Sequence, residues 1–297
     1  MLDRASTFAD KGIIELLMSR FVPVAIDQAY QRRQQDAEGD FYRKIAGQSP
    51  RNNFESTTQG LYTAGPDGKL FGFTNNRGAD RVKGIMTRAL NQYQPSKVAA
   101  LDRGDPDERY NPVPPEGGMV VRVQTKVING YEKTQAKWRR IFQQSISRDN
   151  LWMTKEEHQL LVRGEFPRSL QRRIARFHLI DNTRGEPPMW RTKELREVDF
   201  RLDHNSVTGH ANLSTESGDR TFDVQLSGTV ETDGKKVTSF ELVAQGNFKG
   251  EGRYTRGAPK GKFPLAILFT LADGSDIADQ IPPQGSRGWV QGYLNVE

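Results

Sequence analysis

The stretch Thr221-Phe222-Asp223-Val224-Gln225-Leu226-Ser227-Gly228-Thr229-Val230 places an apolar residue or glycine at every second position and polar residues between. That period belongs to a strand with one buried face, because successive side chains point to opposite sides of a sheet. Two similar sets lie upstream: Val198, Phe200 and Leu202, then Val207, Gly209, Ala211 and Leu213. The turn sequences Asp203-His204-Asn205-Ser206, Glu216-Ser217-Gly218-Asp219 and Thr232-Asp233-Gly234-Lys235 link the sets at hairpin distance, which predicts an antiparallel meander. Further strands are expected over Val237–Gln245 and Phe263–Leu271. A sheet of this size must cover its apolar face, so a sandwich, a small barrel or a strongly curved sheet packed on helices is expected.

Upstream of the meander, Met119–Val127 also alternates, and about Tyr131 to Ile146 turns helical, with Trp138, Ile141, Phe142 and Ile146 on one side. Thr154-x-x-Glu157 reads as a capping box for a short helix ending at Gly164. Another helix begins near Pro167 and turns Leu170, Ile174 and Phe177 inward. The prediction for 119–297 is therefore a helical insert followed by an antiparallel β-domain. Residues 96–118 are rich in proline and glycine and form a connector, either a surface loop or a docking site for a partner.

Residues 1–95 form the first domain. Asp10 is placed to cap a helix carrying Ile13, Ile14, Leu16 and Leu17, and Phe21-Val22-Pro23-Val24-Ala25-Ile26-Asp27 reads as a buried strand. A short helix with Phe41, Tyr42 and Ile45 follows, then a hairpin turning at Gly65-Pro66-Asp67-Gly68, then a helix from about Asp80. Between Phe8 and Tyr93 this order resembles the thioredoxin-like superfamily. The resemblance implies an α/β module, giving an α+β class overall: a thioredoxin-like α/β domain followed by the β-rich one.

The chain departs from that family in its chemistry. It contains no cysteine, so it holds neither an attacking thiolate nor a resolving partner. The family's first strand and Cys-x-x-Cys turn have no counterpart before Phe8, and Gln59 stands where the family places the proline facing its dithiol. The resemblance thus implies a redox-inactive module, unless the native start lies upstream of Met1, in which case a thiol redox protein is the expectation. The C-terminal half resembles bacterial proteins of no assigned activity, so that likeness implies none.

At 297 residues, two domains are the natural division, and 35% hydrophobic against 27% charged residues is a globular balance rather than a disordered one. The formal net charge of +6 is diffuse, since acidic residues accompany the basic ones. The doublets Arg32-Arg33, Arg139-Arg140 and Arg172-Arg173 read as solvated helix faces, which argues against nucleic acid as a partner. No run approaches the roughly 18 to 20 apolar residues of a membrane span. The compartment stays open.

The four histidines show no metal-ligand spacing, and nothing calls for a metal or cofactor. The loop from Phe177 to Trp190 collects unlike functional groups. In it His178 is a candidate general base oriented by Asp181 or Glu186, Arg184 an anion holder, and Trp190 a stacking surface. The competing account has Asp181, Asn182 and Thr183 turning the backbone and Arg184 tying helix to sheet. Two glycine-rich loops add Arg253, Tyr254 and Arg256, then Arg287 and Trp289, an anion or sugar surface if the loops converge. The leading expectation is a non-catalytic binding or scaffold protein for a protein partner or a small anionic or sugar ligand. The alternative is a hydrolase or lyase working through the 178–190 loop.

Overall fold

The computed structural model of the chain describes residues 2–95 and 97–296. Met1, on which the reading of an upstream start turns, lies outside them. The chain divides into two compact units, Asp3–Pro112 with Arg287–Trp289, and Val113–Ser286 with the chain end from Val290.

In the first unit, α1 (Lys11–Arg20) opens on Asp10, whose carboxylate accepts from the Ile13 N–H at 3.1 Å. α2 (Gln28–Gln31) and α3 (Ala37–Ala46) are capped in the same way by Asp27 and Asp36. The strands β1 (Leu61–Ala64) and β2 (Leu70–Thr74) form the expected hairpin, with Gly68 at φ +80° in its turn. α4 (Ala79–Gln92) then lays Val82 and Met86 against Ile13, and Leu16, Leu17 and Phe21 close this small core.

Phe21–Asp27 is not a strand. It joins no sheet among the described residues, Val22 is 88% and Val24 76% exposed, and it ends where Asp27 caps α2. Pro23 has no N–H to give a central ladder, and an apolar run without a partner strand gains nothing from extended pairing. Among the described residues, the first unit's sheet is therefore the two-stranded hairpin alone.

The second unit begins with β3 (Met119–Val127), then α5 (Lys137–Gln144), shorter than the predicted helix because Ile146 instead bridges to Lys126. β4 (Asp149–Met153) leads through Thr154 into α6 (Lys155–Val162). Here the capping box is complete, each of Thr154 and Glu157 accepting from the other's N–H. α7 (Arg168–Arg173) continues into a π-helical turn, Ile174–His178. The meander follows as β5 (Leu195–Asp203), β6 (Ser206–Ser214), β7 (Thr221–Thr232), β8 (Val237–Lys249) and β9 (Lys262–Leu271), and α8 (Val290–Leu294) comes last.

All seven strands of this unit join one antiparallel sheet in the order β4-β3-β9-β8-β7-β6-β5. The sheet curls into a half-barrel. Neither a sandwich nor a closed barrel results, since the described residues of this unit form one sheet and it ends on β4 and β5. Length and glycine explain the curl: β7 and β8 run 12 and 13 residues, and a Cβ on Gly246 would lie 2.0 Å from the Asp223 carbonyl. Alternation holds along β7, with Phe222, Val224, Leu226 and Val230 buried. Helices complete the core, as Leu161, Leu170, Ile174 and Phe177 join the strand residues in one cluster.

One buried polar node ties these elements together. Arg173, fully buried, pairs with Glu157 at 2.5 Å and donates to the carbonyls of Tyr293 at 3.0 Å, Trp152 at 3.2 Å and Leu294. The doublet read as a solvated face is thus divided, Arg172 exposed and Arg173 inside. His158, at the rim, accepts from the Val237 N–H and faces the Gly117 carbonyl, each at 3.0 Å, so it fastens the connector to β8.

Candidate functional site

The 178–190 loop is an interior structure. His178 has no exposed side-chain surface; its Nε2 lies 2.7 Å from the Tyr293 hydroxyl and its Nδ1 lies 3.3 Å from Asp149 Oδ2. Its neighbours are therefore Asp149 and Tyr293, not Asp181 or Glu186. Burial raises the Tyr293 phenol well above its ordinary range, so the hydroxyl stays neutral and is no phenolate nucleophile.

Asp181 and Arg184 form a separate network. Asp181 accepts from the Thr183 N–H and hydroxyl and from Arg184 Nη2. Arg184 also donates through Nε to the Thr255 carbonyl at 2.9 Å and through Nη1 to the Tyr131 hydroxyl at 2.7 Å. All three guanidinium nitrogens are thus engaged within the fold. Glu186 is exposed.

Trp190 is not a free stacking face. It is 1% exposed, its Nε1 donates to the Leu179 carbonyl at 2.8 Å, and the Arg220 guanidinium lies 4.0 Å from its ring centre. Burial lowers the Arg220 pKa, but the ring and Glu194 hold the cation there. The cavity beside this loop, lined by Asp181, Arg220, Glu251 and Thr255, encloses about 10 Å³. That is room for about one water molecule and no substrate.

The candidate residues of the two glycine-rich loops fall in different units. Arg253, Tyr254 and Arg256 are exposed on the second unit, where the loop is braced by Glu251 accepting from the Gly257 and Ala258 N–H groups. Arg287, at φ +48°, and Trp289, 63% exposed, belong to the first unit. His210 lies 2.8 Å from Asp223 on the sheet's polar face.

An open cleft lies elsewhere in the second unit. Between α7 and the edge strand β5, Arg168, Arg172, Thr192, Arg196 and Glu197 line a space of about 230 Å³. None of the three guanidinium groups makes a hydrogen bond or ion pair among the described residues. Sequence reading missed this cleft because its cations come from separated elements; the available signal was Arg168 and Arg172 one helical turn apart with no acid in α7.

Among the described residues, no helix is long and apolar enough to cross a membrane, and no three His, Asp or Glu side chains gather as metal ligands. Compared with family models, curated proteins and solved structures, the chain matches none.

Proposed function

We propose that this chain is a non-catalytic binding protein whose ligand-facing surface lies on the antiparallel β unit. One observation carries the reading: the loop with the richest functional groups has them engaged with each other in the interior, His178 by Tyr293 and Arg184 by Asp181, Tyr131 and Thr255. A general base needs its proton donor within reach and a path for substrate. The 178–190 loop offers neither.

In this reading the thioredoxin-like resemblance of residues 8–93 describes a module kept for shape or contact, because a chain without cysteine has no thiolate to attack a disulfide. Phe21–Asp27, which joins no sheet among the described residues, weighs against a complete thioredoxin-like sheet.

The test is a turnover screen with p-nitrophenyl acetate, p-nitrophenyl phosphate and p-nitrophenyl glycosides, using the full chain and its His178→Gln variant. No release above buffer is expected. Release that disappears in a His178→Gln protein of unchanged circular dichroism would overturn the binding reading and restore the hydrolase.

A further inference from the structure

Arg168 and Arg172 stand at i and i+4 of α7, hence on one face, and Arg196 faces them from β5 across the cleft. Like charges so placed repel each other, and among the described residues no carboxylate forms an ion pair with them. Glu197, the cleft's acid, is drawn toward His210 at 3.5 Å.

The strand has an irregularity at the same place. Leu195 pairs with Leu213 and Glu197 with Asn212, which leaves Arg196 as the extra residue of a bulge. A bulge re-aims a side chain that regular alternation would send elsewhere. Helix and strand are also fixed in spacing. Gln171, between the two helix arginines, donates to the Phe166 carbonyl at 3.1 Å and accepts from the Phe200 N–H at 3.0 Å, while the Phe166 and Phe200 rings pack edge to face. The backbone positions that carry the cations are therefore set before any ligand arrives, which lowers part of the ordering cost of binding.

Size and lining narrow the ligand. A space of about 230 Å³ is smaller than the roughly 300 to 1,000 Å³ of pockets for drug-sized molecules, and among the described residues no aromatic ring lines it for stacking on a base or sugar. Guanidinium forks match the paired oxygens of phosphate groups, and two cation positions on the helix with one opposite suit two such groups joined. We propose that the α7–β5 cleft binds a compact diphosphate, with Arg168 and Arg172 on one phosphoryl group and Arg196 with the Thr192 hydroxyl on the other. This deepens the binding reading above and rests on it.

Isothermal titration of the full chain with inorganic pyrophosphate at low salt tests the site, with inorganic phosphate, a nucleoside diphosphate and a short DNA duplex as parallel arms. Pyrophosphate should bind one to one and more tightly than phosphate, losing about tenfold in affinity for each arginine changed to glutamine. Glu197→Gln should bind at least as well as the parent. Equal binding by a nucleoside diphosphate assigns the ligand as a diphosphate ester, and its exclusion assigns the free anion. Because the three arginines are exposed, Arg168→Gln, Arg172→Gln and Arg196→Gln should keep the parent's circular dichroism. Undiminished pyrophosphate binding by the triple variant would overturn this site while leaving the binding reading intact. No binding of pyrophosphate, or tighter binding of DNA, would overturn the diphosphate assignment. Release of phosphate during titration would instead overturn the non-catalytic reading.

Discussion

Replacing Glu157 by glutamine removes one charge from the interior and almost no volume. Glutamine keeps the capping box in form, since the N3 position accepts either residue, so the helix start is preserved. What changes is Arg173, whose side chain is wholly buried and whose counter-ion is Glu157, itself only 4% exposed. The remaining partners of Arg173 are the carbonyls of Trp152, Tyr293 and Leu294, which accept hydrogen bonds but carry no net charge. Breaking a buried pair on one side typically costs about 3 to 5 kcal/mol, against about 0 to 1 kcal/mol for an exposed pair. Glu157 also accepts from the Ser169 hydroxyl at 2.6 Å, a bond that glutamine retains only if its amide oxygen faces it. We therefore expect Glu157→Gln to destabilise the second unit by about 3 to 5 kcal/mol, a large part of a typical domain's roughly 5 to 15 kcal/mol. Urea unfolding followed by tryptophan fluorescence reads this unit, because Trp152 and Trp190 are buried in it. The exposed pair Lys193–Glu216 supplies the control, and Glu216→Gln should shift the midpoint little. A loss below about 1 kcal/mol for Glu157→Gln would refute the reasoning, since the pair would then behave as a surface pair.

Acid should weaken the loop after β9 through its aspartates. Hydrogen bonds from Ser275 and then Arg122 hold Asp273 down to about 2, and Arg148 with the Ala278 N–H holds Asp276 low. Carboxylates depressed in the fold stabilise it fully above their ordinary pKa of about 4, and that contribution disappears as pH falls through the folded value. Melting temperatures between pH 5 and pH 2 should fall more steeply for the parent than for Asp273→Asn. Gly246→Ala should destabilise by about 1 to 3 kcal/mol in urea unfolding, because its Cβ would meet the backbone of β7. Val22→Lys and Val24→Lys should each change stability by less than about 0.5 kcal/mol, as exposed positions do; losses above 2 kcal/mol would return Phe21–Asp27 to the interior as a strand.

The meander was legible because period two and turn residues are local signals. Each strand carries its own alternation, and His204, at φ +55° between β5 and β6, occupies the turn that Asp203-His204-Asn205-Ser206 announced. The half-barrel was among the shapes that the uncovered apolar face required, but choosing it depended on how strand backbones approach at Gly246, which no single segment states. The strand expected over Phe21–Asp27 failed because an apolar run shows affinity for a partner without showing that one exists. The site was less legible still. His178 found Asp149 and Tyr293, the latter 115 residues away, and the two acids nearest in sequence were not its neighbours. Arg172 and Arg173 are adjacent, yet a turn of about 100° per residue sends one to solvent and the other to the centre of the unit. The bulge at Arg196 arises from the pairing of β5 with β6, so alternation alone does not announce it.

The node at Arg173 also imposes an order on assembly. Two of the carbonyls it needs belong to Tyr293 and Leu294, 120 and 121 residues further along the chain. During synthesis the strands up to β9 emerge before α8 does, so until α8 follows, Arg173 on α7 lacks two of its carbonyl partners. Closure of the unit's core is thus deferred to the last turn of helix, and a ribosome-bound chain lacking α8 should remain open to proteases at α6 and α7 until that turn docks.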